Sequence, residues 1–243
     1  MKDPKFQATI WQTLITFAKE NKFFKPKDKI LVGLSGGADS VALLHFICQL
    51  AKKQQFYVYA CHVDHQLREN SKQDALFAKT FAKSLGVECI VKKVNVKALA
   101  KKEKKSIEHA ARTLRYKAFE EVAKKFNCSK IALAHHCDDN AETFFLNILR
   151  GTNPKGLCGI PVMRKAGKRQ IIRPFLCITR KQVQAYLEHY NLSHVEDQTN
   201  QEDIYLRNWI RLKLLPLLLT KQPLLKQHIL SFTKDLSKHL GNK

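Results

Sequence analysis

The residues best equipped for chemistry are the run Ser35-Gly36-Gly37-Ala38-Asp39-Ser40. Two adjacent glycines let a backbone approach an anion closely and turn sharply. A helix opening just after them would aim its free N–H groups and the positive end of its dipole at phosphate oxygens. Ser35 and Ser40 add hydroxyl donors. Asp39 would repel a phosphate unless a cation lay between them, so the run implies Mg²⁺ with Asp39 as a ligand. No Lys-Ser or Lys-Thr follows Gly37 as in a Walker A loop, and the G-x-G-x-x-G dinucleotide fingerprint is missing too. A phosphate loop of another kind is the expectation.

Two further clusters carry reactive types. His135-His136-Cys137-Asp138-Asp139 is followed by Glu142 one turn later, which gathers carboxylates and imidazoles near one chain position. Acidic residues suit the first turn of a helix, so a capping role competes with a ligand role for one of the two aspartates. Glu108, Arg112 and Arg115 stand three or four residues apart and share a helical face, as a solvated ion pair or as an anion site. His62, Asp64 and His65 are metal-ligand types, but no second cluster accompanies them, and strand-end polar residues are the simpler reading.

These residues need a frame. Residues 29–34 read as a buried strand, and residues 41–52 as the helix opened by the glycine turn. Strands are expected at 56–63, 87–94 and 130–134, with helices at 5–22, 71–85, 106–126 and 139–150. Strands alternating with helices give an α/β, Rossmann-like, doubly wound parallel sheet with helices on both faces. After Gly151 the pattern changes. Residues 162–175 resemble a hairpin, helices follow at 179–190 and 205–215, Pro216 ends the latter, and a last helix covers 222–240. The expected division is an N-terminal helix at 1–24, a catalytic domain at 25–215 and a helical C-terminal extension at 216–243.

The chain has 243 residues, of which 43 are basic and 21 acidic, a formal net charge of +22. That excess favours a polyanionic partner such as nucleic acid. Lys92, Lys93, Lys97, Lys101, Lys102, Lys104 and Lys105 form a dense run, read as a surface loop able to meet phosphates. The seven cysteines contain no C-x-x-C pair, so neither a zinc ribbon nor a redox pair is indicated. No apolar run is long enough for a membrane helix, and the charged N-terminus does not read as a secretory signal, so a cytoplasmic protein is expected.

The Ser-Gly-Gly-x-Asp-Ser run resembles the pyrophosphate loop of the N-type ATP pyrophosphatases, which cleave ATP between the α- and β-phosphates and adenylate a substrate. Further strings narrow the resemblance to the tRNA(Ile)-lysidine synthetases. They are Cys61-His62-Val63-Asp64-His65-Gln66-Leu67-Arg68 (with Gln66 where the family usually has Gly), Glu108 with Ala111-Arg112 and Arg115-Tyr116, and Ala134-His135-His136-Cys137-Asp138-Asp139-Asn140-Ala141-Glu142-Thr143. Arg173-Pro174-Phe175 with Arg180, Asp197-Gln198-Thr199-Asn200, and Arg207-Asn208 with Ile210-Arg211 follow in order.

The resemblance implies that ATP adenylates the wobble cytidine of the minor isoleucine tRNA with a CAU anticodon, and that free L-lysine then displaces AMP. It implies that residues 35–40 hold ATP, that Asp39 binds Mg²⁺, and that Arg112 offsets charge in the adenylate. His135 or a carboxylate, Asp138 among them, takes the proton of the attacking amine. Asp138, Glu142, Arg115, Arg173, Arg207 and Arg211 are the implied substrate contacts, and a homodimer is a further implication. Many relatives continue into larger C-terminal tRNA-binding domains, for which this sequence has little room after Pro216. Rival readings are a tRNA thiolase, a small-molecule amidotransferase and a catalytically inert RNA-binding protein. The missing C-x-x-C, the basic excess and the intact Asp39, Arg112 and Asp138 weigh against them in turn.

Overall fold

In the computed structural model, residues 4–67, 70–195 and 206–241 are described. Arg68 and the string at 197–200 lie outside them. Six strands form one sheet: β1 (Lys29–Gly33), β2 (Tyr57–Asp64), β3 (Glu88–Lys93), β4 (Lys130–Ala132), β5 (Met163–Ala166) and β6 (Arg169–Ile172). Their spatial order is β3-β2-β1-β4-β6-β5. The first four and β6 run parallel, while β5 pairs antiparallel with β6 as the edge. The expected hairpin is therefore built into the main sheet.

Alternation along β1 shows why both faces are covered. Ile30 and Val32 join the larger core, and Leu31 points into the second, against Phe119 and Val122. The larger core is filled by α1 (Pro4–Glu20), α2 (Ala38–Gln54) and α7 (Arg180–Tyr190), and α5 (Ile107–Lys125) covers the opposite face. Such strands, buried on both sides, read as continuous apolar runs. Helix α3 (Ser71–Ser84) packs beside β2 and β3. No helix among the described residues is long and apolar enough to cross a membrane.

Two local expectations need correction. The lysine run is not a loop, because Val96–Glu103 forms helix α4, whose N-cap Asn95 accepts a bond from the Ala98 amide. Val96 and Ala100, one turn apart, bury against Ala110 of α5, and that anchorage turns a polar stretch into a helix. Nor does Pro216 end a helix. Short helix α8 (Leu206–Trp209) continues into a π-helical turn (Ile210–Leu214), and Pro216 sits in the first turn of α9 (Leu215–Lys221). Proline is tolerated there because first-turn N–H groups have no intrahelical partner. The last helix, α10 (Leu225–Gly241), lies along α6 (Cys137–Leu149), with Ala141, Ile210, Leu215 and Ile229 forming a small core between these elements.

Candidate active site

Strand order reverses between β1 and β4: β2 lies on one side of β1, whereas the chain after β4 continues on the other. A crevice opens at the carboxyl ends of strands at such a point. It is a cleft of about 860 Å³, lined by residues of the glycine turn after β1 and by Ala134 and His135 after β4.

The glycine turn is preorganised. Gly36 sits at φ +93°, a torsion open to glycine, and Gly37 is the N-cap of α2 with no side-chain cap of its own. The Ser40 hydroxyl accepts from the amides of Ser35 (3.1 Å) and Gly36 (3.2 Å) and donates to the Gly37 carbonyl (2.9 Å). Ser35 Oγ lies 3.0 Å from Ser40 Oγ and accepts from the Gly37 amide at 3.3 Å. The first N–H groups of α2, at Ala38 and Asp39, face no intrahelical acceptor.

Asp39 fits a cation. Its Oδ1 is buried without a hydrogen-bond partner among the described residues, and its Oδ2 lies 3.7 Å from His136 Nε2. Burial, assisted by the charge of Asp139, raises its pKa against the opposing pull of His136, Arg180 and Arg211. No group of three or more His, Cys, Asp or Glu among the described residues is placed to hold a metal ion. Magnesium suits a site with one protein carboxylate, since phosphates and water complete its shell.

Helix α6 starts with a capping box. His136 Nδ1 accepts the Asp139 amide at 3.3 Å, and Asp139 Oδ2 accepts the His136 amide at 3.0 Å. Asp139 is thus the capping aspartate. Asp138 Oδ2 instead accepts the Arg180 amide at 2.9 Å, and its Oδ1 takes the ammonium of Lys226 from α10. Glu142 is buried and receives Arg207 Nε at 2.9 Å, Arg211 Nε at 2.6 Å and Arg211 NH2 at 3.0 Å. The carboxylate bonds raise the Arg211 pKa, and Arg211 lines the cleft while Glu142 does not.

His135 lines the cleft, and its Nδ1 accepts from Arg173 Nε at 3.2 Å. A neutral ring then carries its proton on Nε2. Burial, then the charges of Arg173, Arg115, Arg112 and Arg207, hold its pKa well below the usual value, so the ring stays neutral at pH 7. His62 is structural: its buried ring donates from Nδ1 to the Leu34 carbonyl at 2.9 Å. Gln66 stands at φ +53°, where glycine is the easier residue, and its amide bonds Asp64 Oδ1 at 2.9 Å.

On α5, Arg115 reaches the cleft wall and Arg112 does not. Arg112 stands 5.2 Å from the Tyr116 ring centre and Arg164 of β5 stands 5.1 Å from it. Arg173 and Arg115 complete the group around Tyr116. None of these four guanidiniums forms an ion pair with a carboxylate among the described residues. Burial would raise the Tyr116 phenol, but the positive charges bring its pKa below the ordinary value. Arg164 and Arg173 stand beside the hydroxyl, yet it is buried and lacks a well-formed hydrogen bond.

Of the residues singled out from sequence, the glycine turn, Asp39, His135, Arg115 and Arg211 converge on the cleft, as do His62, Asp64 and His65. Asp138, Glu142, Arg112, Arg173 and Arg207 do not line it. The sequence reading gave no role to Arg180, His136, Tyr116, Arg164 or Lys226. Arg180 had a signal: Thr179 and Gln182 form a capping box that places Arg180 in the first turn of α7, on the cleft wall. Thiol chemistry has little support here, because burial pushes Cys61, Cys137 and Cys177 up to about 12.

Residues 6–218 match the ATP_bind_3 family, described as a PP-loop domain. The tRNA(Ile)-lysidine synthase of Clostridium perfringens is 43% identical over 204 residues, 84% of this chain and 43% of that one. That of Thermosipho africanus is 38% identical over 228 residues, 94% of this chain and 52% of that one. The chain thus spans about half the length of the curated relatives it matches. Among solved structures, the U34-tRNA thiolase NcsA from Methanococcus maripaludis, with its 4Fe-4S cluster, superposes with a TM-score of 0.83 at 19% identity, covering 96% of this chain and 80% of that one. The NH3-dependent NAD synthetase of Campylobacter jejuni gives 0.57 at 15%, covering 96% and 94%. Both likenesses concern the fold.

Proposed function

The chain belongs to the PP-loop domain family, and on that premise we propose that it uses ATP to join free L-lysine to carbon 2 of the wobble cytidine in the CAU anticodon of the minor isoleucine tRNA. Cytosine O2 attacks the α-phosphorus and pyrophosphate leaves. The lysine amine then attacks carbon 2, loses a proton, and AMP leaves with the oxygen.

One observation carries the reading. A single cleft joins the preorganised turn at 35–40 to Arg115 and His135, and Arg115 belongs to a cluster of arginines around Tyr116 that forms no close ion pair among the described residues, although the charge of Glu108 acts on Arg115. The first part suits a triphosphate, the second an RNA strand. Two relatives bearing the lysidine synthase name, each over 35% identical across most of this chain, support the choice of substrate.

The residues take their roles from their places. The turn at 35–40 holds the leaving pyrophosphate. Magnesium, held by Asp39, would neutralise the phosphate charge. Arg115, Arg180 and Arg211, all on the cleft, meet the charge on the adenylate, while Arg112, set over the Tyr116 ring, adds positive charge nearby. His135 keeps its proton on Nε2 and so acts as a neutral donor. Glu142 acts on the substrate through Arg211.

The test supplies MgATP, labelled lysine and either the isoleucine tRNA with a CAU anticodon or the elongator methionine tRNA that shares it. Lysine incorporation matched by pyrophosphate release with the first tRNA alone is the expected result. ATP cleavage without lysine incorporation would retain the pyrophosphatase chemistry and discard the lysine reaction.

A further inference from the structure

Helix α10 lies beyond the residues matched to the family, which end at 218. It nevertheless places a charged side chain on the helix that opens at the candidate site. Lys226 Nζ is ion-paired with Asp138 Oδ1, and both side chains are mostly buried, with 19% and 15% of their surface exposed. The Lys226 carbonyl also accepts the Cys137 thiol at 3.4 Å. Two turns along α10, Thr233 Oγ1 accepts from Asn140 Nδ2 at 3.2 Å. Asn140 Oδ1 in turn accepts the Ile160 amide at 2.7 Å. Gly159 packs so tightly there that an added Cβ would stand 2.3 Å from Asn140 Oδ1. Phe144 and Phe232 close the contact edge to face, 5.9 Å between ring centres.

Asp138 is the hub of this arrangement. One oxygen takes the α10 ammonium and the other takes the amide of Arg180, whose own residue lines the cleft near Asp39. His136 lies 3.9 Å from the same carboxylate. Without Lys226, an unbalanced negative charge would stand next to Asp139, whose own charge acts on Asp39 of the phosphate turn. It would oppose anion binding and would hold the first turn of α7 less firmly.

We propose that Lys226 is a positioning residue for the nucleotide site: its ammonium fixes and neutralises Asp138, which seats Arg180 on the cleft wall, so that α10 completes a site otherwise built by the family domain. The inference rests on the cleft being a nucleotide site, and one of its two readouts does not depend on that.

The full chain is tested as wild type, Lys226→Met, Lys226→Arg, Asp138→Asn and the double variant Asp138→Asn/Lys226→Met. The first readout is MgATP affinity. The second, needing no ligand, is native-state hydrogen exchange at the Arg180 amide, referenced to β1 amides. Lys226→Met is expected to weaken MgATP about tenfold and to speed Arg180 exchange at least as much, with β1 amides unchanged. Lys226→Arg should restore both to within about threefold. On an Asp138→Asn background the Met substitution should add less than about twofold, because Lys226 acts through Asp138. The double variant leaves no lone buried charge, so it reports even where Lys226→Met alone folds poorly. Unchanged Arg180 exchange in Lys226→Met, or a fully additive double variant, overturns the proposal. Wild-type protein that binds no MgATP while the exchange result holds would instead strike at the nucleotide reading and leave the Lys226–Asp138–Arg180 linkage standing.

Discussion

Arg211 grips Glu142 through two parallel bonds, Nε to Oε1 at 2.6 Å and NH2 to Oε2 at 3.0 Å. The carboxylate is buried on α6, whereas the guanidinium reaches the cleft from the π-helical turn. Arg207, four residues earlier, bonds the same carboxylate at 2.9 Å. One buried negative charge therefore aims two cations. Removing it strands Arg211 and leaves Arg207 only its 3.4 Å pair with Asp139, and both guanidiniums are partly open to water, so Glu142→Gln should cost about 1–3 kcal/mol of stability. Urea denaturation measures this. A loss below about 1 kcal/mol would show that water compensates the arginines and that Glu142 does not organise them. The companion variant Glu142→Met/Arg211→Met should regain part of the loss, since apolar pairs tolerate burial.

The Ser40 hydroxyl closes the glycine turn by accepting two amides, donating to the Gly37 carbonyl and meeting Ser35 Oγ, whereas Ser35 Oγ makes that contact and accepts one longer amide bond. Ser40→Ala should therefore cost about 1–3 kcal/mol, because it leaves buried amides unpaired, and should weaken MgATP. Ser35→Ala should do less to stability. Equal losses for the two serines, measured side by side, would remove Ser40 from its central place in the turn.

Much of this frame is legible in the sequence, and the reason is physical. The apolar runs of β1 and β4 and the glycines between β1 and α2 are local signals, and local signals set the strand ends where the cleft opens. What escapes is long-range. Nothing near residue 138 announces Lys226, which is 88 positions away, and the two meet only because α10 folds back on α6. The carboxylates are legible as a cluster, but their partners are not, so Asp138 and Glu142 read as open ligand groups although Asp138 is taken by an ammonium and a backbone amide and Glu142 by two guanidiniums. The helix at 96–103 is hidden by its lysines, since only Val96, Leu99 and Ala100 carry the packing signal.

Tyr116 is a place where stability and binding should part. Its hydroxyl is buried without a well-formed hydrogen bond, among arginines that form no close ion pair among the described residues. Tyr116→Phe removes a hydroxyl that Arg164 and Arg173 stand beside without a well-formed bond and keeps the ring that the guanidiniums face, so the melting temperature should change little. If the cluster receives RNA phosphate, the same variant should weaken tRNA binding by a few-fold. A fall in stability with unchanged tRNA affinity would mark the hydroxyl as a structural donor only.

His45 gives the fold an acid limit away from the cleft. Its ring lies between Tyr186, 2.8 Å from Nδ1, and Gln49, 3.2 Å from Nε2. Burial, with the nearby charge of Lys52, lowers its pKa to about 4 from an ordinary 6.5. The unfolded chain takes up the proton first as pH falls. The neutral ring's contribution is therefore complete above about pH 6.5 and is lost progressively as pH drops through 6.5 toward 4. Between pH 6 and 5, His45→Gln should reduce the slope of stability against pH by up to about 1.4 kcal/mol per unit. An unchanged slope would mean that His45 is protonated in the fold.

The lysines of α4 provide the test of electrostatic RNA binding. Lys97, Lys101 and Lys102 are exposed on this helix, while Lys92 and Lys105 are engaged by Glu121 and Glu103. Helical geometry sets Lys97 and Lys101 on one face, so they present a fixed cationic stripe rather than independent loop charges. Reversing Lys97, Lys101 and Lys102 to Glu should raise the tRNA dissociation constant at least tenfold at low salt. It should also flatten the dependence of log K on log salt by about 0.7–0.9 for each phosphate that the lysines no longer neutralise. Ionic strength decides between roles: a direct RNA site sacrifices both affinity and slope, whereas general attraction by the net charge of +22 weakens at low salt and keeps its slope at high salt. An affinity and slope equal to wild type at both salts would take α4 out of the RNA path and leave the arginines around Tyr116 as the surface the strand meets.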